Sequence, residues 1–490
     1  MHNTQDRQKV LALRDAILSG SESRLKEQRD AGKLTARERV EKLADAGSFT
    51  EMFALMSQSG EGAGVITGCA TIQERPVYIF AQDFTVRGGA MGAMQAAKIT
   101  RLTETALKTG TPVIALLDSA GVRIDEGAEG MSAFSDIAKA MARLSGVCPM
   151  IAIVLGPCIG GAALMARMAD VTIITEKIGT LMVYGPQVLA AMNGVDVNPA
   201  ELGGAETAAK QGLCDLIAKD EDEAFALAQK VLDLLPSNNL EDSEIVDTDD
   251  MDRLLTEGTE SDPDALLKEL ADQGSLLELN GKHGICVRTA LARLGGHSVA
   301  ILLAKDQLCP GGMEKAARFV RFADSFNLPI ITLMDVSGIK LKSADQQGRV
   351  MTAAAQMLSA YADATAPKLP VVYGDAIGQA YGAMGGKGVA DVTYAWPGAV
   401  ISAMTPEAAV AVLYGDEVKA DKELSVEEAR AKYAAQYIEE CASAIKAAEK
   451  GMLDDIIEPA KTRAALISAV EMLLSKRESN PPKKHGNMPL

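Results

Sequence analysis

The sequence has few aromatic side chains and no excess of positive charge. Phe, Trp and Tyr make up 4% of the 490 residues, with one tryptophan, and the formal net charge is −17. An acidic chain repels the nucleic-acid backbone, so we expect no nucleic acid among its partners. The rest of the composition, with 48% hydrophobic and 23% charged residues, is ordinary for a globular protein.

The cysteines and histidines lack the spacing of a metal site or of a disulfide framework. The seven cysteines are scattered and contain no CxxC pair, and the four histidines show no ligand pattern. We therefore predict free thiols, no metal ion in this chain and a reducing, cytoplasmic location. The polar start MHNTQDRQKV further predicts that there is no signal peptide.

One uncharged run has the length of a membrane span. It holds 23 residues between Arg143 and Arg167, but four glycines and two prolines interrupt it. Its counterpart in the second half of the chain carries Lys368, Asp375 and Lys387. We therefore predict a buried strand, a tight turn and the start of a buried helix.

An internal repeat is the most informative feature that is present. GPCIGGA at 156–162 is matched by GDAIGQA at 374–380, and PVIALLDSAG at 112–121 is matched by PIITLMDVSG at 329–338. Because several landmarks recur at nearly the same spacing, the repeat predicts two similar domains. Each half also has a glycine pair just before a helical pattern, and these pairs are Gly88–Gly89 and Gly311–Gly312.

Short apolar runs alternate with helical patterns in both halves. In the first half, strands are predicted at 77–84, 112–118 and 150–156, and helices at 91–109 and 132–144. In the second half, strands are predicted at 298–306, 329–335 and 368–375, and helices at 313–326 and 345–364. This alternation favours an α/β fold built on a mostly parallel, buried sheet.

Composition divides the chain further. We predict a first domain at 1–235, which includes a helical N-terminal extension, and a solvated acidic linker at 236–263. The second domain follows at 264–475, with a basic tail at 476–490. Within the N-terminal extension, Thr35 is predicted to cap a helix, because Glu38 follows three residues later.

The turn in GPCIGGA predicts a site that stabilises negative charge. The apolar strand is expected to end at Leu155, and a small-residue helix is expected to start at Gly160–Gly161. The first N–H groups of a helix lack internal partners and carry the positive end of its dipole. With donors from Gly88–Gly89–Ala90, this favours an oxyanion hole for an enolate or a thioester carbonyl. The alternative is that the glycines only allow close packing, and gene duplication alone would also repeat the turn.

A set of longer motifs runs along nearly the whole chain. They are KLTARERVEKLADAGSFTE (33–51), GVITGCATIQERPVYIFAQDFTVRGGAMG (64–92), DSAGVRIDEG (118–127), ELGGAETAAKQGLCD (201–215), GGMEKAARFVRFADSFNLPIITLMDVSG (311–338), YAWPGAVISAM (394–404) and PPKKHGN (481–487). With the two turns, they resemble the carboxyltransferase subunits of biotin-dependent acyl-CoA carboxylases and decarboxylases. The resemblance implies two tandem crotonase-like α/β domains, each a ββα-superhelix, related by internal duplication.

The resemblance also implies a reaction. A carboxyl group moves between biotin, which is carried on a separate protein, and the α-carbon of a short acyl-CoA. Oxyanions develop on the thioester and on the biotin ureido oxygen, so two oxyanion holes are needed. The implied donors are the backbone N–H groups of Gly160, Gly161 and Ala162 in the first half and of Gly378, Gln379 and Ala380 in the second.

Further substrate-binding residues are expected beside these turns. They are Gly88, Gly89, Ala120, Gly121, Arg123, Tyr381 and Gly382. Arg123 is either a cation near CoA or an ion-pair partner of Asp125 or Glu126, and Tyr381 either lines the acyl pocket or belongs to the core. Gln379 replaces a usual glycine and Gly382 a usual acidic residue, so the resemblance does not fix the acyl group.

Two missing motifs define the expected partners. The chain has no AMKM-type biotinylation site and no P-loop, so it is expected to work with a biotin carboxyl carrier protein. A biotin carboxylase or a membrane decarboxylase subunit would complete the complex, to which the chain would be peripheral in the second case. The resemblance implies a homohexamer built as a trimer of dimers.

Two other functions stay open. One is a stand-alone crotonase-like hydratase or isomerase, although the helix after Gly161 has no acidic residue before Asp170. The other is a non-catalytic scaffold that has lost its second oxyanion hole through Gln379.

Overall fold

The structure, a computed structural model, describes residues 2–58, 61–194, 196–246, 249–259 and 262–487. The chain divides into two compact units, Met1–Glu241 and Asp242–Leu490. They are called unit 1 and unit 2 below.

Unit 1 combines helices with one large sheet and a short two-stranded ribbon. Its helices are α1 His2–Ser19, α2 Glu22–Asp30, α3 Ala36–Leu43, α4 Ala93–Thr109, α5 Gly127–Leu144, α6 Gly161–Met168, α7 Pro186–Asn193, α8 Pro199–Gly203, α9 Ala205–Lys210 and α10 Glu221–Asp233. Its strands are β1 Thr50–Glu51, β2 Ser57–Gln58, β3 Glu61–Gly62, β4 Val65–Ile72, β5 Arg75–Gln82, β6 Val113–Ser119, β7 Met150–Ile159, β8 Val171–Thr175, β9 Thr180–Met182 and β10 Leu216–Ala218.

Unit 2 is built in the same way. Its helices are α11 Pro263–Leu270, α12 Pro310–Ser325, α13 Gln347–Asp363, α14 Gln379–Ala383, α15 Pro406–Leu413, α16 Gly415–Ala420, α17 Val426–Tyr437, α18 Ala444–Glu449 and α19 Thr462–Leu473. Its strands are β11 Leu277–Leu279, β12 Val287–Leu294, β13 His297–Leu308, β14 Ile330–Ile339, β15 Lys368–Ile377, β16 Tyr394–Ala395, β17 Val400–Ser402 and β18 Asp455–Ile456.

The sheets of the two units have equivalent strand orders. In unit 1 the order is β1-β4-β5-β6-β7-β8-β10, with β9 beside β7; in unit 2 it is β11-β12-β13-β14-β15-β16-β18, with β17 beside β15. From β5 and from β13 onward all neighbours are parallel. The α/β fold with two related domains is therefore confirmed.

The buried sheet explains the apolar runs in the sequence. Every residue of β6 is buried, and α4 and α5 cover it with apolar side chains such as Ile99, Leu102 and Ile137. A parallel strand that is covered on both faces needs a continuous apolar run rather than an alternating one. In each large sheet, the carboxyl ends of the parallel strands lie at one edge. The glycine turn of that unit follows one of these ends.

Two predicted boundaries are wrong. The strand predicted to end at Leu155 is β7, and it continues to Ile159. Its pairing with β8 ends at Val154, and it then pairs with β9 from Pro157 to Ile159. The pair Gly311–Gly312 does not precede its helix, because α12 begins at Pro310 and includes both glycines. Pro at the first helical position is compatible with the missing N–H partner there.

The uncharged run between Arg143 and Arg167 is placed as predicted. It forms β7 and most of α6, joined by the turn at Gly160. Across the described part of the chain, no helix combines the length and the apolar character that crossing a bilayer requires.

Part of the segment 236–263, which was predicted to be a solvated acidic linker, packs on the core of unit 2. Leu255 is buried in the apolar core of that unit. Asp249 forms ion pairs with Arg253 at 2.8 Å and with Arg463 at 3.6 Å, and Arg463 is fully buried. Much of this segment is therefore structural rather than freely solvated.

Candidate active site

The first glycine turn joins β7 to α6. Gly160 has φ 59° and ψ −119°, a backbone conformation that essentially only glycine adopts. Its N–H donates to the carbonyl oxygen of Met182 in β9 at 2.9 Å. This corrects the expectation that Gly160 donates to a substrate, because its N–H is already used.

The next two N–H groups are available. Gly161 and Ala162 form the first turn of α6, where a helix provides no acceptor. Their N–H groups also find no side-chain or turn acceptor among the residues described. These two N–H groups of the first turn therefore lack an acceptor among the described residues.

Gly161 is tightly enclosed. A Cβ atom at this position would lie 2.9 Å from Cε of Met91 and 3.0 Å from the ring of Phe134. Close packing, the alternative reading of the motif, is therefore also present at this turn. The small residue admits Met91 and adds no side chain at the half-buried start of α6.

A second loop reaches the same edge of the sheet. Gly88 and Gly89 have φ 65° and 63°, and a Cβ on Gly89 would overlap the carbonyl oxygen of Asp118. The N–H of Ala120 donates to the carbonyl of Gly88 at 2.9 Å, and Met91 donates to the carbonyl of Gly121 at 2.7 Å. The structure thus brings the predicted residues of 88–89 and 120–121 together.

Arg123 orders this loop. Its side chain is 2% exposed and donates to the carbonyls of Ala90 and Ala63, each at 3.1 Å. It also forms an ion pair with Glu126 at 3.2 Å. These contacts favour the structural alternative for Arg123 over a direct contact with substrate.

A buried charge network next to the first turn was not predicted from the sequence. Asp118 is fully buried and contacts Nζ of Lys33 at 2.5 Å and Nη1 of Arg39 at 2.8 Å. Arg39 also binds Glu221 at 2.8 Å. Burial would lower the pKa of Arg39, but its bonds with Glu221 and Asp118 outweigh it and raise that pKa.

The signal for this network was present in the repeat. Asp118 lies in the repeated motif LLDSAG as the penultimate residue of β6, and a Cβ on Gly156 of the next strand would overlap its carboxylate. Gly156 is therefore small because a carboxylate covers it. Burial is the main cause that lowers the pKa of Lys33, against the opposing effect of Asp118.

A cavity of about 370 Å³ adjoins this network in unit 1. Lys33, Phe84, Arg87 and Gly88 line it, and Nζ of Lys33 lies 4.5 Å from the centre of the Phe84 ring. A larger cavity of about 500 Å³ lies beside α2 and α3 and includes neither Gly161 nor Ala162. Gly161 and Ala162 line neither cavity, and the smaller one adjoins the candidate site through Lys33 and the loop at Gly88.

The second glycine turn repeats the geometry of the first. Gly378 has φ 64° and ψ −142°, and its N–H donates to the carbonyl of Ser402 in β17 at 2.7 Å. Gln379 and Ala380 then start α14, and within the described ranges their N–H groups have no acceptor. As in unit 1, the glycine N–H is used and the following two are free.

The surroundings of the second turn are more open. The side chain of Gln379 is exposed, and a Cβ on Gly382 would meet no atom within 4 Å. Tyr381 packs on Gly386, and its hydroxyl accepts from the N–H of Lys387 at 3.0 Å. Burial raises the pKa of Tyr381, so this side chain belongs partly to the core.

Two carboxylates adjoin the second turn. Asp335 accepts the N–H of Asp375 at 3.0 Å, and a Cβ on Gly374 would overlap the Asp335 carboxylate. No Lys or Arg of the described chain forms an ion pair with either side chain. Burial, and then the charge of Asp335, raise the pKa of Asp375.

The sequence predicts no metal ion in this chain. Within the described ranges, no three His, Cys, Asp or Glu side chains are grouped so that they could hold a metal ion.

The turns, the paired sheets and the motifs agree with the comparisons to known proteins. A family model described as the carboxyl transferase domain matches residues 27–488. The chain belongs to this family. The carboxyltransferase is 37% identical to the propionyl-CoA carboxylase carboxyltransferase subunit of Haloferax mediterranei, and the match covers 97% of each chain.

Other relatives of the carboxyltransferase are named as a decarboxylase subunit and as a transcarboxylase. It is 36% identical to methylmalonyl-CoA decarboxylase subunit alpha of Veillonella parvula, with 96% of each chain covered. A crystal structure of a transcarboxylase 12S hexamer, with methylmalonyl-coenzyme A and methylmalonic acid bound, aligns with a TM-score of 0.91. That alignment has 36% identity and covers 99% of this chain and 98% of the other. The predicted carboxyltransferase class is confirmed.

Proposed function

We propose that this enzyme transfers a carboxyl group between biotin, held on a separate carrier protein, and the α-carbon of a short acyl-CoA. The observation that carries the proposal is the repeated turn. In each unit a glycine with positive φ uses its own N–H within the sheet and leaves the next two free. Relatives named for propionyl-CoA and methylmalonyl-CoA support the substrate class.

Each turn stabilises one developing oxyanion. When the α-carbon of the acyl-CoA loses its proton or its carboxyl group, negative charge moves onto the thioester oxygen. Two fixed N–H donors at a helix start stabilise that charge without reorganising. Biotin, when bound, supplies the ureido group that donates or accepts the carboxyl group, and the N–H pair of the other turn stabilises its oxygen.

The turns fit these groups because, among the described residues, their N–H donors have no acceptor within the protein. At the second turn, the space beside Gly382 and the exposed position of Gln379 leave room for a ring or an acyl chain. At the first turn, Gly161 has no side chain to cover the donors. Gln379 retains its N–H, so the second hole persists despite the loss of a glycine.

The carboxylates near the first turn already form ion pairs with cationic side chains. Asp118 is paired with Lys33 and Arg39, and Glu126 binds Arg123 and accepts the N–H of Ala93 at 2.6 Å. A hydratase needs a carboxylate that is free to move a proton to or from water. The engaged carboxylates therefore favour carboxyl transfer over the hydratase alternative.

The assembly and partners follow from the same proposal. A biotin carboxyl carrier protein has to bring biotin, and a biotin carboxylase or a membrane decarboxylase subunit sets the direction. We propose a cytoplasmic homohexamer built as a trimer of dimers, since the transcarboxylase 12S relative is a hexamer.

The direct test is transfer to free biotin. The purified enzyme is incubated with malonyl-, methylmalonyl-, ethylmalonyl- and glutaconyl-CoA, and loss of the acyl carboxyl group is followed with and without biotin. We expect biotin-dependent decarboxylation of at least one thioester.

Two results would contradict the proposal. Hydration of crotonyl-CoA without any carboxyl transfer would identify a hydratase. An inactive wild type that gains transfer activity through Gln379→Gly would identify a chain that has lost its second hole.

A further inference from the structure

Two cysteines that are distant in sequence meet in unit 2. Cys286 directly precedes β12, and Cys309 lies between β13 and α12. Their Sγ atoms are 2.9 Å apart, and both residues are free thiols with partial exposure. A disulfide bond has an S–S length of about 2.0 Å, so a small movement of either side chain would close one.

The two sulfurs are not equivalent. Cys309 is the N-cap residue of α12, a helix of 16 residues, and the start of a helix favours a thiolate. The hydrogen bond between the two sulfurs, with the N–H of Gly312, lowers the pKa of Cys309 to about 5. The same bond and burial raise the pKa of Cys286.

The surrounding backbone holds the sulfurs together. The N–H of Cys309 donates to Sγ of Cys286 at 3.1 Å. Lys315 of α12 donates to the carbonyl oxygens of His283 at 2.6 Å and Asn280 at 3.2 Å. A Cβ on Gly312 would overlap Sγ of Cys286. The segment 280–286 is thereby fixed against the first turn of α12.

Other cysteines of the chain lack these features. Cys148, Cys158 and Cys214 are buried, and burial raises the pKa of Cys148 to about 11. Cys69 lies within β4 and is half-buried, and Cys441 lies within the helical turn 438–442 and is exposed; among the described residues, neither has a second thiol within hydrogen-bonding distance. The pair in unit 2 therefore combines access, a thiolate and a resolving thiol.

We propose that Cys286 and Cys309 form a redox-active dithiol that closes to a disulfide by exchange with a low-molecular-weight disulfide. The Cys309 thiolate attacks one sulfur of the small disulfide, forms a mixed disulfide and releases one thiolate. Cys286 then loses its proton, attacks Sγ of Cys309 and displaces the second thiolate. Two protein thiols are oxidised and one small disulfide is reduced to two thiols.

The pair lies at a defined place in the fold. Cys309 follows the carboxyl end of β13, and Gly378 follows that of β15; both strands run parallel to β14. The disulfide would thus form at the sheet edge of unit 2 that carries the second glycine turn. It would join the 280–286 segment covalently to the start of α12.

The test uses oxidised glutathione and the intact enzyme. The reduced protein is treated at neutral pH, remaining thiols are blocked with an alkylating reagent, and mass spectrometry of the intact chain and its peptides follows. We expect a peptide cross-link between Cys286 and Cys309, with the loss of two hydrogens and no glutathione on either residue.

Two variants separate the roles of the sulfurs. Cys286→Ser keeps the attacking thiolate without its resolving partner, so one glutathione should remain on Cys309. Cys309→Ser should leave Cys286 unmodified. Cys441→Ser is the control, and its cross-link should match that of the wild type; circular dichroism of the reduced proteins checks that each variant is folded.

Three results would overturn the proposal. A stable glutathione adduct on Cys309 of the wild type would show that Cys286 does not resolve it. Failure of folded wild type to react at this pair, or identical behaviour of the two serine variants, would show that the sulfurs do not act in this order. These readouts do not depend on carboxyl transfer, so they are independent of the proposed function.

Discussion

The carboxylate on the strand beside each glycine turn, Asp118 of β6 or Asp335 of β14, has a different environment in the two units. Asp118 in unit 1 is paired with Lys33 and Arg39. Its counterpart Asp335 has instead a second carboxylate, Asp375, beside it. In both units the carboxylate covers a glycine of the next strand. Duplication has therefore kept the backbone arrangement while the charges around it have diverged.

The turns themselves show which part of the motif is constrained. Gly160 and Gly378 both have positive φ, and both donate their N–H to a short strand beside the main one. The next position differs, since Gly161 is enclosed by Met91 whereas Gln379 is exposed. The geometry requires glycine at the N-cap, and it requires only an N–H at the residue that follows.

The largest effect is expected when the buried charge network of unit 1 loses Arg39, which leaves Lys33 as the remaining cation beside Asp118. Arg39→Met leaves Asp118 and Glu221 buried without their shared partner, so we expect the free energy of unfolding to fall by about 3–5 kcal/mol. Chemical denaturation measures this. Lys42→Met is the control, because its pair with Asp222 is exposed and should matter little. Equal losses for both variants would contradict the role of burial.

The next effect concerns the donors of the second turn. Gln379→Pro removes one N–H, and proline is accepted at the first helical position. We expect kcat for carboxyl transfer to fall by about 10²–10³-fold, as for the loss of one oxyanion-hole donor. Gln379→Ala keeps the N–H and should retain most of the activity. A folded proline variant with normal kcat would show that only the first turn stabilises an oxyanion.

A smaller effect should come from the open position in α14. Gly382→Leu fills the space beside the second turn, so longer acyl groups should be disfavoured relative to shorter ones. We expect the ratio of kcat/KM for ethylmalonyl-CoA to that for malonyl-CoA to fall by about 10-fold or more. Gly388→Leu, at another position without neighbours within 4 Å, is the matched control. An unchanged ratio in Gly382→Leu would place the acyl group elsewhere.

The smallest effect is expected from the unpaired carboxylates of unit 2. The pKa of Asp375 is raised, so its ionisation costs stability as the pH rises above the usual carboxyl range, and the cost vanishes in acid. Asp375→Asn should therefore stabilise the protein at neutral pH, by less than about 1 kcal/mol because solvent screens the charges. Thermal unfolding at neutral and acidic pH measures this.

The control for this pH dependence is an isolated surface carboxylate. Glu423→Gln removes an exposed side chain and should leave the stability unchanged at either pH. A stabilisation by Asp375→Asn that is equally large in acid would show that charge is not its cause.

Local patterns predicted local structure well. The capping box of α3 is present as expected, since Thr35 accepts the N–H of Glu38 and Glu38 accepts the N–H of Thr35. The apolar runs became the central strands because a doubly covered parallel strand needs such a run. The end of β7 was missed because its last three residues are held by β9, a partner that the local sequence does not reveal.

The donors were predicted less completely than the turns. The motif indicated an anion-binding helix start but could not show that Met182 and Ser402 accept the N–H groups of Gly160 and Gly378. Likewise, the sequence left two readings of Arg123 open, and its contacts with Ala63, Ala90 and Glu126 favour one of them. Each of these contacts depends on how separate segments pack.

The sequence by itself determined the duplicated α/β architecture, the family and the two glycine turns, because periodicity and the special conformations of glycine are properties of short segments. Only the tertiary structure decided which N–H groups are free, which carboxylates are neutralised and that Cys286 meets Cys309. Those features depend on contacts between residues far apart in the chain, and a contact is fixed by packing and charge in three dimensions.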